Sequence, residues 1–122
     1  MKIFIAGGTG FVGAYLVAAL RERGHQLRLL VHARAAGIAS SLEQVEGDVT
    51  SLESFEAALS GCDAVINLVG VIREFPSRGI TFERLHVQAT TNMLAATRQA
   101  GIRRYLQMSA LGTRLMPYPA TT

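Results

Sequence analysis

Cysteine occurs once in the 122-residue sequence, at Cys62. A lone cysteine excludes an internal disulfide, so the chain has to fold on its own core, and this usage fits a reducing, cytoplasmic setting. Charge is also sparse: 17% of residues are charged against 49% apolar. That balance excludes a disordered, solvated chain and favours a buried sheet. The net charge is only +3, the arginines are scattered, and no basic run is interleaved with aromatics, which argues against a nucleic-acid partner. His25, His32 and His86 have no metal-ligand spacing, so no metal site is expected. Residues 3–20 carry no charge and resemble a signal peptide or short membrane span. Glycines at 7, 8, 10 and 13 would break such an apolar helix, and a strand, turn and helix explain the run better. No membrane span is expected.

Strand and helix patterns alternate along the chain. Residues 2–6 read as a buried strand, and 11–23 as a helix with Phe11, Val12, Tyr15, Leu16, Ala19 and Leu20 on its apolar stripe, capped by Gly24. Residues 27–31 form a second strand, 33–41 a loop with a short helix, and 44–46 a third strand. Thr50 and Glu53 spell a capping box that opens a helix running to Leu59 and stopping at Gly61. Residues 64–69 are a fourth strand and 74–79 a loop. Residues 81–100 are a long helix with Phe82, Leu85, Ala89, Met93 and Ala96 on one stripe, closed by Gly101. Residues 105–108 are a fifth strand, and the stretch with Pro117 and Pro119 is irregular. This alternation predicts one α/β domain over residues 1–122, a doubly wound parallel sheet of the Rossmann type with strand order 3-2-1-4-5. Its ligand crevice should lie beyond the carboxyl ends of the strands, where the order reverses.

The loop G-G-T-G-F-V-G follows a strand and opens a helix, the context that makes a glycine motif informative. It reads as GxxGxxG through Gly7, Gly10 and Gly13, or as GxGxxG through Gly8, Gly10 and Gly13. Either way it permits a tight turn and a close approach of backbone amides to a diphosphate at the helix amino terminus. The end of the second strand lacks the acidic residue that would bind the ribose of NAD and carries His32 and Arg34 instead. A guanidinium there can pair with a 2′-phosphate, so NADP is preferred over NAD. The alternative makes both residues ordinary loop positions. Asp48, with Val49, can accept from the adenine amine or can cap the following helix. Asn67 to Gly70 would lie against the ribose or diphosphate. Ser109 ends the fifth strand, where a hydroxyl would face the nicotinamide and a substrate carbonyl or could simply cap a loop.

These pieces together are similar to a known family. T-G-F-V-G after a strand, G-D-V, A-V-I-N-L-V-G, H-V-Q-A-T-T-N-M-L and M-S-A-L-G resemble the extended and atypical short-chain dehydrogenases/reductases. The nearest flavour is the nucleoside-diphosphate-sugar epimerase-like group that includes the Rossmann accessory subunit of respiratory complex I. The resemblance covers about residues 1 to 113. It implies that Gly7, Gly10 and Gly13 hold the diphosphate and that Thr9, Phe11 and Val12 supply backbone contacts. It further implies that Asp48 and Val49 contact adenine and that Leu68, Val69 and Gly70 line the ribose. Ser109 would take the place of the catalytic serine. His86 stands where many members carry an active-site asparagine.

One departure bears on activity. The family's Tyr-x-x-x-Lys pair, with the tyrosine as general acid/base, is not found: Tyr118 is followed four residues later by Thr122. The chain is therefore expected to be the amino-terminal portion of a longer protein, without the last strands and the substrate region. It would bind a nicotinamide dinucleotide without turning over a substrate. The intact protein would pass hydride to or from a carbonyl or alcohol of a small molecule. The alternative is a non-catalytic sensor, assembly factor or structural subunit. An exposed fifth strand, or the face of the long helix, would offer a surface for homodimerisation.

Overall fold

The computed structural model describes residues 1–8, 11–32, 42–69 and 83–108, with the side chains of Phe11 and residues 83–85 outside that description. Five short parallel strands are β1 (Lys2–Ala6), β2 (Gln26–Val31), β3 (Glu43–Glu46), β4 (Ala64–Asn67) and β5 (Arg104–Gln107). They form one sheet in the order β3-β2-β1-β4-β5. The predicted strand order is the observed one. α1 (Phe11–Glu22) links β1 to β2, and α2 (Ala89–Gln99) precedes β5. A π-helical turn, Glu83–Gln88, leads into α2.

Period-two alternation on β1 explains why both sheet faces are covered. Ile3 and Ile5 point to α1, joining Val17, Leu27, Leu29, Val31, Ala64 and Ile66. Phe4 and Ala6 point to the other face, joining Leu30, Phe55, Leu59, Val65, Met93 and Ala96. Phe4 and Phe55 stack there with ring centroids 6.4 Å apart. A central strand buried on both faces reads as a continuous apolar run, as I-F-I-A after Lys2 does.

Two helix expectations are corrected. The apolar stripe of α1 is not the one counted from large side chains. Val12 and Tyr15 are exposed, at 49% and 71%, and Gly13, Leu16, Val17 and Leu20 turn inward. The helical period is right and its phase is wrong, because the residue nearest the sheet is a glycine with no side chain to count. The segment after β3 is not a capped α-helix. It forms two 3-10 turns, Leu52–Ser54 and Glu56–Leu59, and the first has no side-chain cap. The Thr50 hydroxyl that should cap it donates to Asp48 instead, at 2.7 Å. This is the local competition that threonine and aspartate offer near turns.

A charged cluster closes the amino-terminal end of the sheet. Glu43 lies 3.0 Å from Arg28 Nε and 3.4 Å from Lys2 Nζ. The Arg28 Nε contact is a Coulombic one, since that N–H is not aligned for a hydrogen bond. Arg28 Nη1 donates to the carbonyls of Ala58 and Ser60, tying β2 to the end of the second 3-10 turn. Burial raises the Glu43 carboxyl, but the two cations outweigh it and hold the group below its ordinary 4.5. Such a depressed carboxyl stabilises the fold above the ordinary value, and the contribution fades as pH falls through the folded one. Urea unfolding at a series of pH values below 4.5 should therefore show a shallower loss of stability for Glu43→Gln than for the wild type. The half-exposed setting of Glu43 keeps the difference small.

Candidate nucleotide-binding site

β1 ends at Ala6, and the chain turns at Gly7 with φ of +83°. Side chains rarely adopt that conformation, and a Cβ there would lie 2.8 Å from the Leu68 carbonyl carbon. Position 13 is tighter still. A Cβ would meet the Gly7 carbonyl oxygen at 2.5 Å and the Gly8 backbone at 2.7 Å. The first turn of α1 thus lies directly on the loop that follows β1. That turn holds no acidic residue, so no carboxylate of its own offsets the partial positive charge at the helix start.

The ladder then aligns four strand ends. Ala6 pairs with Leu30 on one side and Asn67 on the other, and Val31 pairs with Glu46. Pairing continues one step further through Leu68 N–H to the Ala6 carbonyl (2.8 Å) and Gly47 N–H to the Val31 carbonyl (2.9 Å). Beyond these ends lies a cleft of about 250 Å³, lined by Gly7, Leu30, Val31, His32, Gly47, Asp48, Val49 and Val69. Sites that enclose whole small ligands run to roughly 300–1,000 Å³, so this cleft suits one end of a larger molecule. Two larger clefts of about 460 Å³ lie elsewhere, one beside the second 3-10 turn at Gly61 and one beside β5 on the α1 face.

Both walls of the small cleft are held by side chains. On one wall, the Thr50 N–H and hydroxyl both donate to Asp48 Oδ1, at 2.8 and 2.7 Å. The Asp48 N–H donates to Ser54 Oγ at 2.9 Å, and that hydroxyl donates onward to the Ser51 carbonyl at 2.7 Å. Asn92 Nδ2, reaching from α2, donates to the Val49 carbonyl at 2.9 Å. Behind the other wall stands Asn67, which is fully buried. Its Oδ1 accepts from the Val69 N–H at 3.0 Å. Its Nδ2 donates to Gln107 Oε1 at 3.1 Å and to the Tyr105 hydroxyl at 3.3 Å. Tyr105 in turn donates to Gln107 Oε1 at 2.6 Å. Burial pushes the Tyr105 phenol up, and the Asn67 amide offsets this only in part.

The structure therefore brings Gly7, His32, Asp48, Val49 and Val69 together from four segments of chain. Gly13 is buried beneath the loop, and Val12 is exposed on the first turn of α1. Leu68 sits beside Gly7, but its side chain packs toward the α1 face. Phe11 begins α1. Thr9, Gly10, Arg34, Gly70 and Ser109 lie outside the described residues. His86 is exposed on the π-helical turn. Val31 lines the cleft as one of the strand ends expected to converge there, whereas Leu30 and Gly47, each beside an expected strand end, were not anticipated. Asn92 was missed altogether. Its sequence signal is its place in the H-V-Q-A-T-T-N-M-L stretch, as a polar residue three positions after Ala89. Among the described residues, no group of three or more His, Cys, Asp or Glu could hold a metal ion. No described helix is long and apolar enough to cross a membrane.

The model of the NAD dependent epimerase/dehydratase family matches residues 3–114. The chain belongs to this family. A curated family relative, the 3 beta-hydroxysteroid dehydrogenase/Delta 5-->4-isomerase of Mycobacterium tuberculosis, is 32% identical over 116 residues, which is 89% of this chain and 31% of that protein. The mitochondrial NADH dehydrogenase [ubiquinone] 1 alpha subcomplex subunit 9 of Arabidopsis thaliana is 32% identical over 117 residues, covering 88% of this chain and 29% of that one. The chain thus spans about 31% of the length of the first of these relatives. Among solved structures, a short-chain dehydrogenase/reductase superfamily protein from Agrobacterium tumefaciens with bound NAD superposes with a TM-score of 0.74 at 27% identity. The match covers 88% of this chain and 32% of that one. MoeE5 in complex with UDP-glucose and NAD gives 0.75 at 26% identity, over 91% of this chain and 37% of that one. The family to which the motifs pointed is the one that matches.

Gly13→Ala should cost more than about 3 kcal/mol, because the added methyl meets backbone on both sides and no rotamer can relieve it. Urea unfolding of the variant against wild type measures this directly. A loss under 1 kcal/mol would mean that α1 does not press on the loop as described.

Proposed function

We propose that residues 1–122 bind a nicotinamide dinucleotide, with the diphosphate over the glycine loop and the adenosine end in the cleft between Asp48–Val49 and Val69. One observation carries this reading: the backbone-to-backbone contact of Gly13 with the loop at Gly7 and Gly8 sets the start of α1 beside a cleft at the strand ends where the sheet order reverses. Gly7, Gly10 and Gly13 hold the diphosphate, and Thr9, Phe11 and Val12 add backbone contacts. Asp48 and Val49 face the adenine, and Leu68, Val69 and Gly70 border the ribose. The NAD bound in the Agrobacterium tumefaciens relative supports a nicotinamide cofactor.

NADP is the preferred form, because His32 lines the cleft at the end of β2 and Arg34 follows two residues later. When bound, the cofactor supplies or accepts a hydride. This chain's own part is to hold and orient it, and in the intact protein Ser109 would face a carbonyl or alcohol substrate. No Tyr-x-x-x-Lys pair occurs within residues 1–122, so these residues bind without turnover. A second reading, a non-catalytic dinucleotide-binding subunit or sensor, is favoured by His86, which stands where many family members carry an active-site asparagine, and by the likeness to a respiratory-chain subunit.

Calorimetric titration should give binding of both NADPH and NADH, NADPH the tighter. Arg34→Ala should weaken NADPH by about tenfold, the scale of one charge-assisted hydrogen bond, and leave NADH unchanged. Equal affinities untouched by Arg34→Ala would remove the 2′-phosphate assignment, and no binding of either would remove the dinucleotide reading. The chain also presents a surface for a second copy. Along the outer edge of β5, Leu106 is 65% exposed, and the following Met108 is 43% exposed. Light scattering across a wide concentration range should show a dimer that Leu106→Lys disrupts, and a wild-type monomer throughout would count against it.

A further inference from the structure

The turn at Asp48 and Val49 is shaped from within by Thr50 and Ser54. Those bonds fix its internal form. They do not fix where it stands relative to the sheet, because they join neighbours in the same segment. The ladder anchors its near side, through Gly47 N–H on the Val31 carbonyl at 2.9 Å, and Asn92 anchors its far side, since its amide crosses from α2 to the Val49 carbonyl, 43 residues away in sequence, at 2.9 Å. The helix that carries it is packed on the sheet: Ala89, Met93 and Ala96 are all fully buried. Position 92 lies on the flank of that stripe and is half-buried. A carboxamide at that position has a donor to offer, and the Val49 carbonyl receives it.

We propose that Asn92 is a positioning residue for base recognition, holding the Val49 carbonyl so that the Asp48–Val49 turn stands at the base-binding end of the cleft. The inference rests on the dinucleotide reading above. The opposite wall is set separately, by Asn67 on the Val69 N–H. Base preference then depends on a carbonyl held from a distant helix, although Asn92 is not among the residues that line the cleft.

The test compares reduced nicotinamide adenine dinucleotide with its hypoxanthine analogue, which carries an oxo group where adenine has its amine. Both are titrated calorimetrically into wild type and Asn92→Leu, a near-isosteric change that deletes the donor. Wild type should prefer the adenine form. In Asn92→Leu that preference should fall by about tenfold, the scale of one well-placed hydrogen bond, mainly through weaker binding of the adenine form. A purely structural role would weaken both dinucleotides alike and leave their ratio unchanged, which would overturn the proposal. So would an unchanged adenine affinity, or a wild type with no base preference. Asn92→Ala, which removes the donor without adding bulk, reads the same ratio if the leucine variant does not fold. A wild type that binds neither form rejects the dinucleotide reading itself, so the two failures are told apart.

Discussion

The contact between α1 and the loop after β1 is the constraint on which the rest of the site depends. A Cβ at position 13 would lie 2.5 Å from the Gly7 carbonyl oxygen, so helix and loop meet backbone to backbone with no layer of side chains between them. That approach brings the positive end of α1 down to the carboxyl end of β1, and Gly7 makes the turn at a positive φ that delivers the chain there. A larger residue at either point would lift the helix away. The amides and the cleft would then no longer share a boundary.

From that contact the rest follows by register. The parallel ladder sets β2 and β4 on either side of β1, so their ends flank Gly7, and β3 brings Gly47 and Asp48 alongside the end of β2. Cores on both sheet faces keep the ladder flat against α1 and α2. The Lys2, Arg28 and Glu43 cluster ties the opposite end. The sheet thus has a charged, closed amino-terminal end and a carboxyl-terminal end open to a ligand, the division of labour expected of a doubly wound fold.

Two asparagines link that open end to the α2 side of the molecule. Asn67 is buried, and it shares its amide between the Tyr105–Gln107 pair on β5 and the turn at Val69. Asn92 reaches the turn at Val49. A buried carboxamide is costly unless its donors and acceptor are used, and here its hydrogen bonds define the two walls of the cleft. Membership of the NAD dependent epimerase/dehydratase family is consistent with this construction.

Much of this was legible before any coordinates. β1 and β4 end within about three residues of where apolar runs stop, at Gly7 and Gly70, and β3 ends just before Gly47, because a buried strand must be apolar and a turn must be permissive. Strand order followed from alternation alone, since right-handed crossovers leave few topologies. Two errors mark the limit. The face of α1 was misphased because Gly13, its innermost residue, carries no side chain for a pattern of apolar residues to register. The capping box at Thr50 failed because Asp48, two residues earlier, offered its hydroxyl a nearer partner. The sequence by itself determined the order of elements, the glycine loop and the family, all of which rest on local spacing. Only the tertiary structure decided which side of α1 faces the sheet, which residues meet across the cleft, and what Asn67 and Asn92 hold. Those contacts join residues far apart in the chain, as Asn92 and Val49 are at 43 positions, and no local pattern encodes a distance across the fold.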